Sequence, residues 1–517
     1  MYNLSRKQFL KKLALLGIGS AFLPRFVSAK RPPAILAREP DYRIIDLHCH
    51  PSLKMYLWNQ HLWKWHLPGP GANEVQMQDD LHQLGYGNVK GLVVAHYLVE
   101  ASAKKEWNLL RKLFPWINRV LHGLADKIEH EDASNFSQIN SMIDILEKQV
   151  HLVNERQKYL TLVIARDYLE FLAASEKPGH IAIAHAIEGG HALGRNFTLS
   201  DKRKKQFAGH PGEQHQMITA ETRDNPAFYY IRNLEALAAR GVCMITISHI
   251  FKNDLASPVE GISEDEKHTL GMDWHYQPDC DNCDLSLIGM LVAKRMLELG
   301  VIIDLTHSTP AARRNVFEIN RCITTARKGL PPRPLAFTHV GLQSIFEKYN
   351  HVPELQAYKF YDIDEEEILA ICACNGVIGV IPENFWLTGA DRKLQGREGI
   401  EPEDYRHGLC FIVETIVAIN KMTKGKDFSN IAIGTDFDGF ADAPADLYVP
   451  RQLADLVTAI KTIDNITDEQ VEMITSGNAR RLLELGWGNP MLVPVTIKAV
   501  PLAGTCDKNL KERVLEP

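Results

Sequence analysis

The chain has 517 residues, 45% hydrophobic and 24% charged, an ordinary globular composition. A formal charge of −6, with no basic stripe carrying interleaved aromatics, argues against nucleic acid as a partner. Nine cysteines form no stapled-scaffold pattern, and Cys280-x-x-Cys283 is a single pair: too little for a zinc ribbon, but a candidate disulfide in an oxidising compartment.

Residues 1–29 read as an export signal. Arg6, Lys7, Lys11 and Lys12 give a basic start, the apolar run Leu13 to Leu23 is too short to span a bilayer, and Val27-Ser28-Ala29 fits a small-residue cleavage site. Ser5-Arg6-Lys7-Gln8-Phe9-Leu10-Lys11 resembles the twin-arginine motif, with Lys7 in place of the second arginine. The expectation is an exported, periplasmic protein. Residues 30–42, with Pro32, Pro33 and Pro40, read as a linker, and no later run reaches spanning length.

From residue 43 to 488 one pattern repeats: a short apolar run rich in β-formers, a polar residue at its end, then a helical stretch. The eight runs are Ile44–His50, Val89–Tyr97, Ile181–Glu188, Val242–His249, Val301–His307, Leu335–His339, Val377–Ile381 and Ile431–Asp436. Helical spacing lies between most of them, as in Leu287–Leu299 and Asp364–Cys374. Near-continuous apolar strands alternating with helices imply a parallel sheet covered by helices, and eight such units imply a (β/α)8 TIM barrel with enlarged loops and a helical insertion. Residues 489–517 carry no clear pattern and read as a C-terminal tail.

Active sites of that fold lie at the carboxyl ends of the strands. His48 and His50 end the first run, Glu188 the third, His249 the fourth, His307 the fifth, His339 the sixth and Asp436 the eighth. Alternation along a strand sends His48 and His50 to one face. The swollen connections are less informative. An aromatic segment between Pro51 and Asn88, with Tyr56, Trp58, Trp63 and Trp65, reads as a lid, as packing or as the contact of a homodimer. Residues 101–145 read as helical, and the polar stretch 195–225 as a surface loop.

His48, His50, Glu188, His307 and His339 are more ligands than one catalytic zinc takes. They suit two Zn2+ ions, or other divalent transition metals, with Glu188 bridging them. A hydroxide between the metals would attack a carbonyl carbon, Asp436 would take or orient its proton, and His249 would hold the carbonyl oxygen.

These segments, in order, resemble the membrane (renal) dipeptidase family. Glu188-Gly189-Gly190-His191 resembles its Glu-Gly-Gly-His signature, and Met244 to His249 the strand ending in its substrate-binding histidine. Gly300 to Ser308 and Pro334 to His339 resemble its next two metal-bearing strands, and Ile433 to Gly439 its Asp-Phe-Asp-Gly motif. Thr475-Ser476-Gly477-Asn478 is similar to its Gly-Asn helix. The resemblance implies a zinc-dependent dipeptidase acting on small peptides. It carries His48, Glu188, His307 and His339 over as metal ligands, His249 as the substrate histidine and Asp436 as the acid beside the metal water. Two departures stand out. The family has His-x-Asp where this chain has His48-Cys49-His50, which removes a negative charge from the site. Its substrate-carboxylate arginine is missing from Tyr361-Asp362-Ile363-Asp364-Glu365-Glu366, with Lys359 nearby as a point charge. The alternative reading is a hydrolase of another amide or a lactone, or a non-catalytic binding barrel. His191 reads as a turn residue and Asp438 as a loop-shaping one.

Overall fold

The computed structural model describes residues 42–66, 76–98, 135–157, 159–194, 226–259, 283–326, 331–351, 353–388, 408–423, 427–439, 443–444 and 446–488. Residues 1–29, read above as an export signal, nearly all of residues 30–42, residues 195–225, Cys280 and residues 489–517 lie outside them. Among the described residues no helix is long and apolar enough to cross a membrane.

Nine strands form one sheet: β1 Ile44–Cys49, β2 Val89–Tyr97, β3 Thr161–Ile164, β4 His180–Glu188, β5 Val242–Thr246, β6 Ile302–Asp304, β7 Ala336–Val340, β8 Val377–Val380 and β9 Ile431–Ile433. Every pairing is parallel, and β2 pairs both β1 and β4 while β9 pairs both β8 and β1. The eight strands expected from the sequence thus close into a barrel. The ninth, β3, pairs only with β4, from Thr161↔His180 to Ile164↔Ile183. It was not anticipated, because four residues after a long helix carry no polar strand end.

The strands read as unbroken apolar runs because both of their faces are covered. Along β4, Ala182, Ala184 and Ala186 join the cluster that fills the barrel, which needs small side chains. Ile181, Ile183 and Ile187 join the larger cluster shared with the helices. The helices include α1 Pro51–Trp58, α2 Asn135–Arg156, α3 Tyr168–Glu176, α4 Pro226–Ala239, α5 Leu287–Leu299, α6 Pro310–Ala326, α7 Glu365–Ala373, α8 Gly408–Met422 and α9 Asn478–Gly486, with further short helices such as Gln343–Tyr349 and Leu453–Ile460 between them. Phe171 of α3, Leu482 and Leu483 of α9, and Trp487 close the inner cluster at the amino ends of the strands, opposite the histidines.

Local chemistry sets the boundaries. The Ser286 side chain caps α5 by accepting from the Gly289 amide, and Gly300 ends it at φ +73°, a conformation cheap only for glycine. Asp364 and Glu367 form a reciprocal capping box at the start of α7. The described part of the aromatic segment after β1 is packed on its neighbours. Trp63 stacks on His61 at 4.4 Å beneath the Arg156 guanidinium, and Trp65 meets His82 and Tyr86 edge-on.

Candidate metal centre

The strand ends meet at one point. Glu188, at the end of β4, is almost wholly buried, and its two carboxylate oxygens face a ring of imidazoles. Oε1 lies 3.2 Å from His48 Nε2, 3.2 Å from His307 Nε2 and 3.5 Å from His339 Nε2. Oε2 lies 3.4 Å from His50 Nε2 and 3.3 Å from His249 Nε2. His50 Nε2 is also 3.0 Å from Asp436 Oδ1. All seven expected site residues on the strand ends therefore gather in one cluster.

The backbone is bent to achieve this. His307 and Asp436 hold φ of +66° and +52°, left-handed values that side chains other than glycine rarely take. Each is pinned: the Asp436 amide donates to the His48 carbonyl at 2.8 Å, and the His307 carbonyl accepts from the Val259 amide at 2.8 Å. After Glu188 the chain turns through Gly189 at φ +92°, where a Cβ would fall 2.4 Å from the His191 ring. His191 faces away, with Nε2 2.7 Å from the Leu98 carbonyl oxygen, as a turn residue should. Asp438 takes the amides of Gln78 and Asp79 at 2.7 and 3.2 Å, tying the loop after β9 to the segment before β2.

The electrostatics fit a ligand set. Burial pushes the Glu188 carboxyl up, but the imidazoles of His249, His50 and His48 and the contact from His307 outweigh it and hold the group well below the usual carboxylate range. Burial keeps His339 well below the ordinary histidine range and lowers His307 as well, so both are neutral donors. At His50 burial also pulls down, yet Glu188 and Asp436 win and raise it.

The spacing tests whether a metal belongs here. His48 and His50 bring Nε2 atoms within 3.0 Å of each other, and His307 and His339 within 3.1 Å. Bonds of about 2.1 Å in a tetrahedral shell set ligand atoms about 3.4 Å apart, close to these separations. Among the described residues three overlapping groups bring their ligand atoms within 4.8 Å of one another: His48, Glu188 and His339; His48, His50 and Asp436; and Glu188, His249 and His307. Hydrogen bonding alone is a poor account of so many imidazole nitrogens around two oxygens, whereas divalent cations suit them. The residues fit a metal centre. His249, expected to stand apart as the substrate histidine, lies within the same cluster.

Lys359 does not join it. Its Nζ sits 2.6 Å from Glu347 Oε1, because an acid on the neighbouring helix is nearer than the barrel mouth. Lys359, expected to stand in for a substrate-binding arginine, is paired with Glu347 here, and the same turn carries Tyr361. Tyr361 stacks on Trp386 at 3.9 Å, lies 5.1 Å from the His307 ring, and donates to the His339 carbonyl at 3.0 Å. Tyr97, at the end of β2, covers His249 at 4.3 Å. Sequence reading missed both tyrosines. Their only signal was position: the last residue of a strand, and the place where an arginine was sought.

Comparisons with known proteins agree with this geometry. Residues 229–485 match the model of the membrane dipeptidase family, peptidase family M19. No functionally curated protein matches the chain in sequence. Among solved structures, the metallopeptidase dipeptidase AC of family M19 superposes with a TM-score of 0.55 at 14% identity, covering 87% of this chain and 100% of that one. A metallopeptidase from Rhodobacter sphaeroides, liganded with a phosphinate mimic of the dipeptide L-Ala-D-Ala, gives 0.54 at 14% identity over 86% and 99%. The probable dipeptidase PvdM from Pseudomonas aeruginosa gives 0.53 at 16% identity over 93% and 98%. At such identities the structural likeness is one of fold; the sequence match is what carries the kinship. That match spans His249, His307, His339 and Asp436, and over those residues the chain is similar to the membrane dipeptidase family.

Proposed function

We propose that this chain is an exported, metal-dependent dipeptidase that holds two zinc ions at the barrel mouth. The observation that carries this reading is the convergence of five imidazole Nε2 atoms on the two oxygens of buried Glu188. His48, His50, His307 and His339 would hold the ions together with the Glu188 carboxylate. When bound, such a pair supplies positive charge that acidifies water and polarises a carbonyl.

The chain's own residues do the rest. Asp436, partly open to solvent, is placed to take a proton on Oδ1 from a water at the mouth and return it to the leaving amine. His249 Nε2 is placed to donate to the carbonyl oxygen as charge develops on it. Tyr97 and Tyr361, the latter backed by Trp386, wall the site with aromatic surface.

Export rests on the basic, apolar and small-residue pattern of residues 1–29, and the disulfide-bonded state of Cys283 supports an oxidising compartment. The engagement of Lys359 by Glu347 favours one second reading, a hydrolase on the same scaffold acting on another amide or a lactone. Zinc-restored protein assayed against dipeptides, acyl amides and lactones separates the two. Turnover of dipeptides is the expected result, and turnover of lactones or acyl amides alone would replace the reading.

A further inference from the structure

We propose that Thr338 is a shared positioning residue. Its one hydroxyl takes hydrogen bonds from both His48 and His339 and turns both Nε2 lone pairs toward the metal position. The inference rests on the metal reading above and adds a residue to it.

Thr338 is fully buried, in the middle of β7 next to His339. Its Oγ1 lies 2.7 Å from Asp304 Oδ2, 2.9 Å from His48 Nδ1 and 2.9 Å from His339 Nδ1. A hydroxyl has one hydrogen and two lone pairs, so three partners saturate it, and only the direction of each bond is open. Asp304 sets the direction. Its Oδ1 accepts from the Thr306 amide at 3.1 Å, the Thr306 hydroxyl at 2.8 Å and the Thr338 amide at 3.1 Å. Its Oδ2 accepts from the Thr246 hydroxyl at 2.7 Å as well as from Thr338. A fully buried acceptor surrounded by donors takes the Thr338 hydrogen. The two lone pairs of Thr338 are then left for two N–H groups.

Both imidazoles must therefore carry their proton on Nδ1, and both present a bare Nε2 to Glu188 and its neighbours. Without a bound cation those lone pairs face other acceptors; with one they are ligands. The backbone of Thr338 is held as tightly as its side chain. Its amide also reaches Thr306 Oγ1 at 3.0 Å. Its carbonyl lies so close to Gly434 that a Cβ there would come within 1.8 Å of the oxygen. His48 comes from β1 and His339 from β7, so one hydroxyl spans the two halves of the centre. The other two ligand histidines have no such support: His50 Nδ1 and His307 Nδ1 are buried with no hydrogen-bond partner among the described residues.

The test uses the full chain as wild type, Thr338→Ser and Thr338→Val. Zinc affinity for the first and second equivalents is read by competition with a chelating dye, and histidine tautomers by 15N NMR of the metal-free protein. Thr338→Ser should bind both equivalents nearly as wild type does. Thr338→Val should weaken both by about 10–100-fold, the usual cost of an outer-shell partner, and should move protons of His48 and His339 from Nδ1 to Nε2. Unchanged binding by Thr338→Val, or loss confined to one equivalent, overturns the proposal. Thr338→Ala repeats the comparison should the valine variant fail to fold. A wild type that takes up no zinc refutes the metal reading instead. The tautomers then still decide the role of Thr338, since an Nε2–H on either histidine of the wild type overturns it.

Discussion

Two groups of histidines share strand β4 and have opposite fates. On the barrel side, His48, His50, His249, His307 and His339 crowd around Glu188 with more nitrogens than hydrogen bonds can serve. On the helix side, three residues earlier, His185 belongs to a closed chain. Its Nδ1 pairs with His96 Nε2 at 2.9 Å, and His96 Nδ1 pairs with Ser52 Oγ at 2.9 Å. His185 Nε2 lies 3.3 Å from Glu147 Oε1, whose negative charge is shared with Arg166 and Arg240. Burial keeps both of these histidines below the ordinary range, His96 well below it, so they remain neutral. Burial and residue type are the same in the two groups. What separates them is how many imidazoles face one carboxylate: five around Glu188, one at Glu147.

The contrast can be broken at its centre first. Glu188→Gln should abolish hydrolysis and weaken metal binding by about a hundredfold or more, beyond the cost of any outer-shell change. Metal analysis and a dipeptide assay check this, and full activity would end the bridging role. On the strut side, His185→Leu should leave metal content and kcat unchanged. It strands His96 Nε2 without its partner, so stability should fall by about 1–3 kcal/mol in chemical denaturation. Loss of metal from that variant would erase the distinction drawn between the two groups.

His50→Asp restores the anion that relatives carry and should keep the metal. The added negative charge makes the site's water less acidic, so the pH–rate profile should move upward. An unmoved profile would make the extra imidazole incidental.

The smallest effect belongs to the solvent end of the strut. The contact with His185 holds the Glu147 carboxyl down at about 2, with Arg240 and Arg166 adding to it against the effect of partial burial. A carboxyl lowered on folding stabilises above its unfolded value and loses that stabilisation as pH falls toward the folded one. Glu147→Gln should therefore cost about 1 kcal/mol or less at neutral pH, the discount proper to a part-exposed pair. The cost should vanish between pH 4.5 and about 2. A cost that persists at the acid end would point to packing rather than charge.

Much of the site was legible because a barrel converts strand ends into neighbours. His48, Glu188, His307, His339 and Asp436 could be read from one-dimensional position once eight runs were recognised. Thr338 and Asp304 were not legible as partners. Their work depends on a contact between β1 and β7, which are far apart in the chain, and a threonine in an apolar strand looks like ordinary β-propensity. The ion pair of Lys359 was hidden for the converse reason. Proximity in sequence put a cation near the mouth, but Glu347 on a neighbouring helix captures it in space. Strand β3 escaped because four residues with one pairing partner carry too little pattern.

The most direct test of the account is the zinc stoichiometry of the full-length protein at saturation, measured by equilibrium dialysis with elemental analysis. Two ions per chain, falling below two in Glu188→Gln, is the result this site predicts. One ion or fewer in the wild type would contradict the two-metal centre.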